Sequence, residues 1–461
     1  MIQRMTPFSH PPLARQPGLG HAGPGFLKRE QNMLDLIIRG ANLPDGRTGI
    51  DIGIADQRIA AVEPNLAAEA VEVIDAAGRL VTPPFADAHL HLDSTMSLGQ
   101  PRMNLSGTLL EGIAIWGELK PDLTIEAIYT RAKNLCMWSI ARGVLAIRSH
   151  VDICDDRLLA VQALAQLRAE MKPYIDIQLV AFPQDGFIRY ANAAANLERA
   201  LELGVDVIGG IPHFERTMDE GAQSVKALVR LAAERGLMVD MHCDESDDPL
   251  SRHIETLAAE TARHGMAGRV TGSHLTSMHS MDNYYASKLI PLIVSSGVNA
   301  IANPLINITL QGRHDTYPKR RGMTRVKELM AAGITLAFGH DDILDPWYTL
   351  GSHDMLQVAS MGLHVGQLTG LEEIRACFAA VTENPARIMG LEGYGIAPGN
   401  FADLVVLQAP DAFDAIRLSA ERLFVIRRGK ILAQAAPRQS LVNFAGQTIP
   451  VDFTRTGLTA F

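Results

Sequence analysis

Four short stretches gather ionisable side chains at close spacing: His89-Leu90-His91-Leu92-Asp93, His242-Cys243-Asp244-Glu245, Ser273-His274 and His340-Asp341-Asp342. Residues i and i+2 of a strand face the same way, so His89 and His91 can offer both imidazoles to one ion from a single rigid edge. An H-x-H alone says little, because neighbouring histidines are common on ordinary surfaces. Taken together, His89, His91, His242 and Asp341 make a three-imidazole, one-carboxylate set. Such a set suits one divalent metal, zinc or iron(II), with a position left for water. Water on such an ion has a pKa near ~7 and supplies hydroxide at neutral pH. Glu245, three residues past His242, is placed to shuttle a proton, and His274 to polarise the water. The amide of Gln184 both donates and accepts, which matches the cis-amide edge of a ring. Phe182, just before it, joins Gln184 in the expected substrate-binding set, and Asp342 lines the pocket beside Asp341.

These residues do one job only if a scaffold brings them to one place. Eight short apolar runs end in polar residues: VTPPFADAHLH, VLAIRSHVD, DIQLVAFPQ, VDVIGGIPHF, LMVDMHCDE, RVTGSHLT, VNAIANP and ITLAFGHDD. From the second onward their last strand residues read His150, Phe182, Ile211, His242, His274, Asn303 and Asp341, at steps of 29 to 38 residues. About thirty residues is the length of a βαβ step. Amphipathic segments such as SVKALVRLAAER (224–235), stopped by Gly236, fill the gaps. Strands apolar on both faces and alternating with helices imply a buried parallel sheet. The pattern predicts a (β/α)8 TIM barrel over 81–390. An open doubly wound sheet is the alternative, but no G-x-G-x-x-G follows the first strand. A barrel places every one of these strand ends at a single mouth, and that convergence turns weak motifs into a site.

Both chain ends are strand-rich. Residues 33–80 carry LDLIIRGANL, GIDIGIADQRIAAVE and AVEVIDAAGRLV, and the C-terminal part carries ADLVVLQ, LFVIRRG and KILAQA. The expected architecture is therefore α/β, with a small β-sandwich domain built from 33–80 and 391–461. Residues 1–32 are rich in Pro and Gly and lack the apolar run of a secretory signal. They read as a disordered tail, or as an upstream extension of a chain that starts at Met33.

With 47% hydrophobic and 20% charged residues among 461, a disordered chain is excluded. No run approaches the ~18 apolar residues of a membrane span. A net charge of −9 argues against a nucleic-acid partner and leaves a small-molecule substrate. Four scattered cysteines form no disulfide framework, which points to a reducing, cytoplasmic setting. His213-Phe214-Glu215 matches half of a cytidine-deaminase-type zinc motif, but no P-C-x-x-C accompanies it, so His213 is expected to pack at a strand end. The basic run Pro318-Lys319-Arg320-Arg321 reads as a solvated or salt-bridged loop.

The strings PPFADAHLHLD, RSHVD, AFPQDG, IPHFE, HCDE, ANPLINITLQGRHDTYPKRRG and FGHDDILDPWY resemble the bacterial cytosine deaminases of the amidohydrolase superfamily, from about residue 34 to about 435. The resemblance implies a mononuclear centre, since VDVIGGIPHFE has no lysine where binuclear relatives carry a carboxylated one. It implies that His89, His91, His242 and Asp341 hold the metal and that His274 orients the attacking hydroxide. Glu245 would protonate the ring nitrogen, and Asp341 would relay the water proton to the leaving ammonia. Gln184 would read the ring carbonyl, while Asp342 and Trp347 would close the pocket near the exocyclic amine and C5. The implied reaction is hydrolysis of cytosine to uracil and ammonia in pyrimidine salvage, by a homo-oligomer, often a hexamer. Isocytosine, isoguanine, 5-methylcytosine and creatinine stay open as related rings.

Overall fold

The computed structural model describes residues 33–455, so the expected tail 1–32 lies outside the described residues. The chain enters through β1 (Met33–Ala41), β2 (Ile50–Ala55), β3 (Arg58–Pro64) and β4 (Glu69–Asp75), ordered β3-β2-β1-β4. The segment GIDIGIADQRIAAVE forms a hairpin, β2 and β3, turning at Asp56 and Gln57 with φ of 49° and 68°. Two successive left-handed residues match the right-handed twist of hairpin strands. A two-residue strand, β5 (Val81–Thr82), then leads to the barrel.

Eight strands make up the barrel sheet: β6 (Phe85–Leu90), β7 (Val144–Asp152), β8 (Asp176–Phe182), β9 (Val207–Gly210), β10 (Met238–Cys243), β11 (Val270–His274), β12 (Asn299–Ala302) and β13 (Leu336–Phe338). Each neighbouring pair is parallel. This is a TIM barrel, with α1 (Leu109–Leu119), α2 (Ile125–Ala141), α3 (Leu159–Met171), α4 (Ala193–Glu202), α5 (Met218–Arg235), α6 (His253–Arg263) and α7 (Asn283–Ser296) among its helices. α5 shows how local sequence sets these boundaries. Thr217 accepts from Glu220 N at its start, and Gly236, with φ of 69°, ends it. After β12 come α8 (Pro304–Leu310) and α9 (Val326–Ala331), and after β13 comes α10 (Met355–Gly366).

Phe182 and His274 end their strands as the sequence predicts, whereas β7 runs two residues past His150 and β13 stops at Phe338, short of Asp341. The backbone turns at Asp341 (φ 72°), and the barrel closes there instead through a bridge between Leu90 and Asp341. Asp341 N donates to His89 O at 2.9 Å and His91 N to Asp341 O at 3.0 Å.

The C-terminal strands β14 (Leu404–Leu407), β15 (Arg422–Arg427) and β16 (Lys430–Gln434) form a second sheet whose edge is β5, so the sandwich extends past residue 80. Leu36, Ile38, Ile52 and Ile54 share one core with Val81, Leu404, Val406 and Ile426. Both ends of the chain thus face each other across a single apolar layer. A further hairpin, β17 (Ser440–Phe444) with β18 (Gln447–Val451), carries exposed Leu441 and Phe444.

A buried ion pair joins sandwich to barrel. Arg422 of β15 grips Asp354, the N-cap of α10, through both guanidinium nitrogens, one at 3.2 Å. Arg422 also donates to the carbonyls of Arg142 and Ala420. No helix among the described residues is long and apolar enough to cross a membrane. All four cysteines are buried and unpaired.

Candidate active site

Strands β6 and β10 and the turn after β13 bring His89, His91, His242 and Asp341 together at the C-terminal mouth. His89 Nε2 and His91 Nε2 lie 3.2 and 3.4 Å from the same atom, Asp341 Oδ1. His91 Nε2 is 3.0 Å from His242 Nε2. All four residues are buried, yet both ring nitrogens of His89, Nδ1 of His242 and Oδ1 of Asp341 have no hydrogen-bond partner. Buried polar atoms left unpaired are costly, so a cluster of them within reach of one carboxylate suits a cation.

The electrostatics agree. Burial, reinforced by the neighbouring imidazoles of His150 and His89, drives His242 far below its ordinary value and keeps it neutral, as a ligand must be. Burial also drives down His274, outweighing the pull of Asp341. Burial opposes the charge of Asp341, but the His274 and His89 rings outweigh it and hold the carboxylate ionised. His91 is raised: burial disfavours its charge, and the adjacent Asp341 carboxylate overcomes that. His91 Nε2 lies between that carboxylate and a second imidazole, the position a divalent ion would fill. Donor types and geometry therefore fit one ion with nitrogen and oxygen ligands.

Glu245 lies just beyond β10, 3.4 Å from His274 Nδ1. Burial and the charge of Asp341 push its carboxyl well above the usual range, which favours its protonated form. Asn307 Nδ2 donates to His274 Nδ1 at 3.0 Å, which assigns the ring proton to Nε2, 3.7 Å from Asp341 Oδ2. Asn303 Nδ2 also reaches Asp341 Oδ2, at 3.4 Å. Neither asparagine is given a role by sequence reasoning. Their i, i+4 spacing at the start of α8, directly after β12, is the signal that would have found them.

A cavity opens beside this cluster. Gln184, Glu245 and Asp342 supply its polar walls, and Leu109, Ile211, Leu310 and Trp347 its apolar ones. The Asp342 carboxyl is raised as well, by burial and by the charges of Asp345 and Asp341. Phe182 does not line this cavity. Its ring stacks on His242 with centroids 4.1 Å apart, because the last strand residue points into the barrel layer under the mouth. His150, at the end of its own predicted strand, also lies under the cluster, its ring 4.2 Å from that of His89. His213 packs in the interior, and burial takes it down to about 4. In the basic loop, Arg320 pairs with Asp315 and Lys319 donates to Gly312 O.

Two anchors hold the cavity walls. Lys120, just after α1, pairs with Asp152 at 2.7 Å and with Asp185, beside Gln184, at 2.6 Å. Trp116 of α1 donates from Nε1 to Asp152 at 2.9 Å. One helix thus fixes the loop that carries Gln184.

Residues 72–433 match the model of the amidohydrolase family. The fold is similar to that of 5-methylcytosine deaminase from Klebsiella pneumoniae liganded with 5-fluorocytosine, with a TM-score of 0.85 and 42% identity, covering 87% of this chain and 98% of that one. In sequence the chain is 32% identical to N-isopropylammelide isopropyl amidohydrolase of Pseudomonas sp. (strain ADP), over 87% of this chain and 97% of the relative. It is 30% identical to pterin deaminase of Rhizobium rhizogenes, over 85% and 90% respectively. The chain belongs to the amidohydrolase family, a metal-dependent hydrolase acting on carbon–nitrogen bonds.

Proposed function

We propose that the chain hydrolyses cytosine to uracil and ammonia. The observation that carries this reading is the likeness, across nearly the whole length of both chains, to a deaminase of a cytosine ring. His89, His91, His242 and Asp341 would hold one divalent ion, iron(II) or zinc, which when bound acidifies water and stabilises developing negative charge.

The side chains divide the remaining work. Gln184 pairs with the ring carbonyl and adjacent N–H, fixing which carbon faces the ion site. Glu245, whose protonated form burial favours, gives its proton to the ring nitrogen next to the reacting carbon as water adds there. Asp341 takes one proton from the attacking water and passes it to the amine. The carbon–nitrogen bond then breaks and ammonia leaves. The second water proton restores Glu245, so the sum is cytosine plus water to uracil plus ammonia. His274 orients the water, with Asn307 fixing its tautomer. Asp342 and Trp347 close the cavity near the amine and C5.

A second reading, 5-methylcytosine to thymine, is favoured by the substrate in the Klebsiella enzyme's name. Of the remaining expectations, pyrimidine salvage and a homo-oligomer such as a hexamer rest on the family resemblance, and a cytoplasmic setting on the scattered cysteines. Ammonia release from cytosine, 5-methylcytosine, isocytosine, isoguanine and creatinine, with iron(II)- and zinc-loaded protein and Glu245→Gln as the blank, tests the substrate. Release fastest from cytosine supports the leading reading and fastest from 5-methylcytosine the second. Silence on all five with the ion bound refutes both.

A further inference from the structure

Gly112 lies inside α1, one turn after Leu109 and one before Trp116. A glycine within a helix is less favourable than alanine, so this position needs a reason. The indole of Trp347 supplies one. A Cβ on Gly112 would stand 2.4 Å from Trp347 Cδ1 and 2.5 Å from Nε1, closer than any packed contact allows. Trp347 and Leu109 both belong to the apolar wall of the cavity. Further along α1 the indole meets Trp116, 2% exposed, hydrogen-bonded to Asp152 and tilted at 46° to it with centroids 6.3 Å apart. The indole therefore rests on a bare stretch of helix and has a pinned ring beside it. Any side chain at 112 pushes it away from α1, towards the space the substrate occupies.

We propose that Gly112 is a specificity-determining position, which sets how large a substituent the ring pocket accepts on the edge facing Trp347. The role rests on the proposed reaction, because Trp347 faces the amine and C5 edge of a cytosine ring in that reading. Gly112 touches neither substrate nor reacting atoms and acts only through the indole.

The test compares the parent with Gly112→Ala on cytosine and 5-methylcytosine. One methyl group in an apolar pocket is worth ~10-fold or more in discrimination. In Gly112→Ala, kcat/KM for 5-methylcytosine is expected to fall at least ~10-fold further than kcat/KM for cytosine, mainly through KM. Trp347→Phe added to Gly112→Ala removes the clash and is expected to return the ratio of the two substrates towards that of Trp347→Phe alone. The same ratio is read without turnover by calorimetric titration of both rings in a Glu245→Gln background, which also serves if Gly112→Ala is less stable. Equal losses on both rings, or a ratio that Trp347→Phe leaves unmoved, overturn the proposal. Failure of the parent to deaminate either ring refutes the proposed reaction alone, and the binding ratio still decides the role of Gly112.

Discussion

The Arg422–Asp354 pair is a joint whose strength can be measured. Replacing Asp354 by Asn keeps the side-chain volume and the oxygen that accepts from Leu356 N at the start of α10, and removes the charge and the second oxygen that face Arg422 and Arg142. Removing one partner of a buried ion pair costs about 3–5 kcal/mol, since the other charge stays buried. Arg422 keeps two carbonyl acceptors, Arg142 O and Ala420 O, so the lower end applies, about 3 kcal/mol. That is a large share of the roughly 5–15 kcal/mol that holds a typical domain together. Urea unfolding of Asp354→Asn beside the parent, at equal slope, reads the loss as a lower midpoint. The double variant Asp354→Leu/Arg422→Met, apolar on both sides, is expected to recover much of it. The pH dependence has a fixed sign. Burial would raise the Asp354 carboxyl, but Arg422 outweighs it and holds the group below its ordinary value. A depressed carboxyl contributes stability above its unfolded value of about 3.9 and loses it as pH falls through the folded value. The gap between parent and Asp354→Asn should therefore close below about pH 4. A variant within 1 kcal/mol of the parent at pH 7, or a gap that widens in acid, would refute the reasoning.

Three further outcomes concern the site. Glu245→Gln should retain the ion by elemental analysis yet lose at least ~10²-fold in kcat, and retained turnover would remove Glu245 from proton transfer. His89→Ala should lose the ion, so full occupancy in that variant contradicts its place in the ligand set. Gln184→Ala should raise KM about tenfold or more with the ion still bound, because the polar edge of the ring loses its partner, and an unchanged KM assigns ring recognition elsewhere.

Much of the site was legible because strands obey a period of two and end where their apolar runs end. His89 and His91 share an edge, and Phe182 and His274 close their strands as predicted. Asp341 is legible as a proposed ligand but not as to how it is held. It sits three residues past β13, in a turn whose backbone bonds to His89 and His91, the other proposed ligands on that seam. No pattern in one segment reveals a bond made to another 250 residues away. The same limit hid the aim of Phe182, because a ring at a strand end can face the cavity or the layer below. It also hid Asn307 and Gly112, whose partners His274 and Trp347 are distant in the chain. The strand β5 is two residues long and shows no periodicity at all.

The closure of the barrel at Leu90 and Asp341 has a consequence for assembly. The first and last staves meet through the backbone of the residues proposed to grip the ion. A cation there is a rivet across the seam as well as a reagent. The rivet cannot be set until residue 341 has left the ribosome and β13 has docked, so loading follows folding of the whole barrel. Stripping the ion should in turn loosen this seam before any other, and amide exchange around His89–His91 and His340–Asp342 would be the first to quicken.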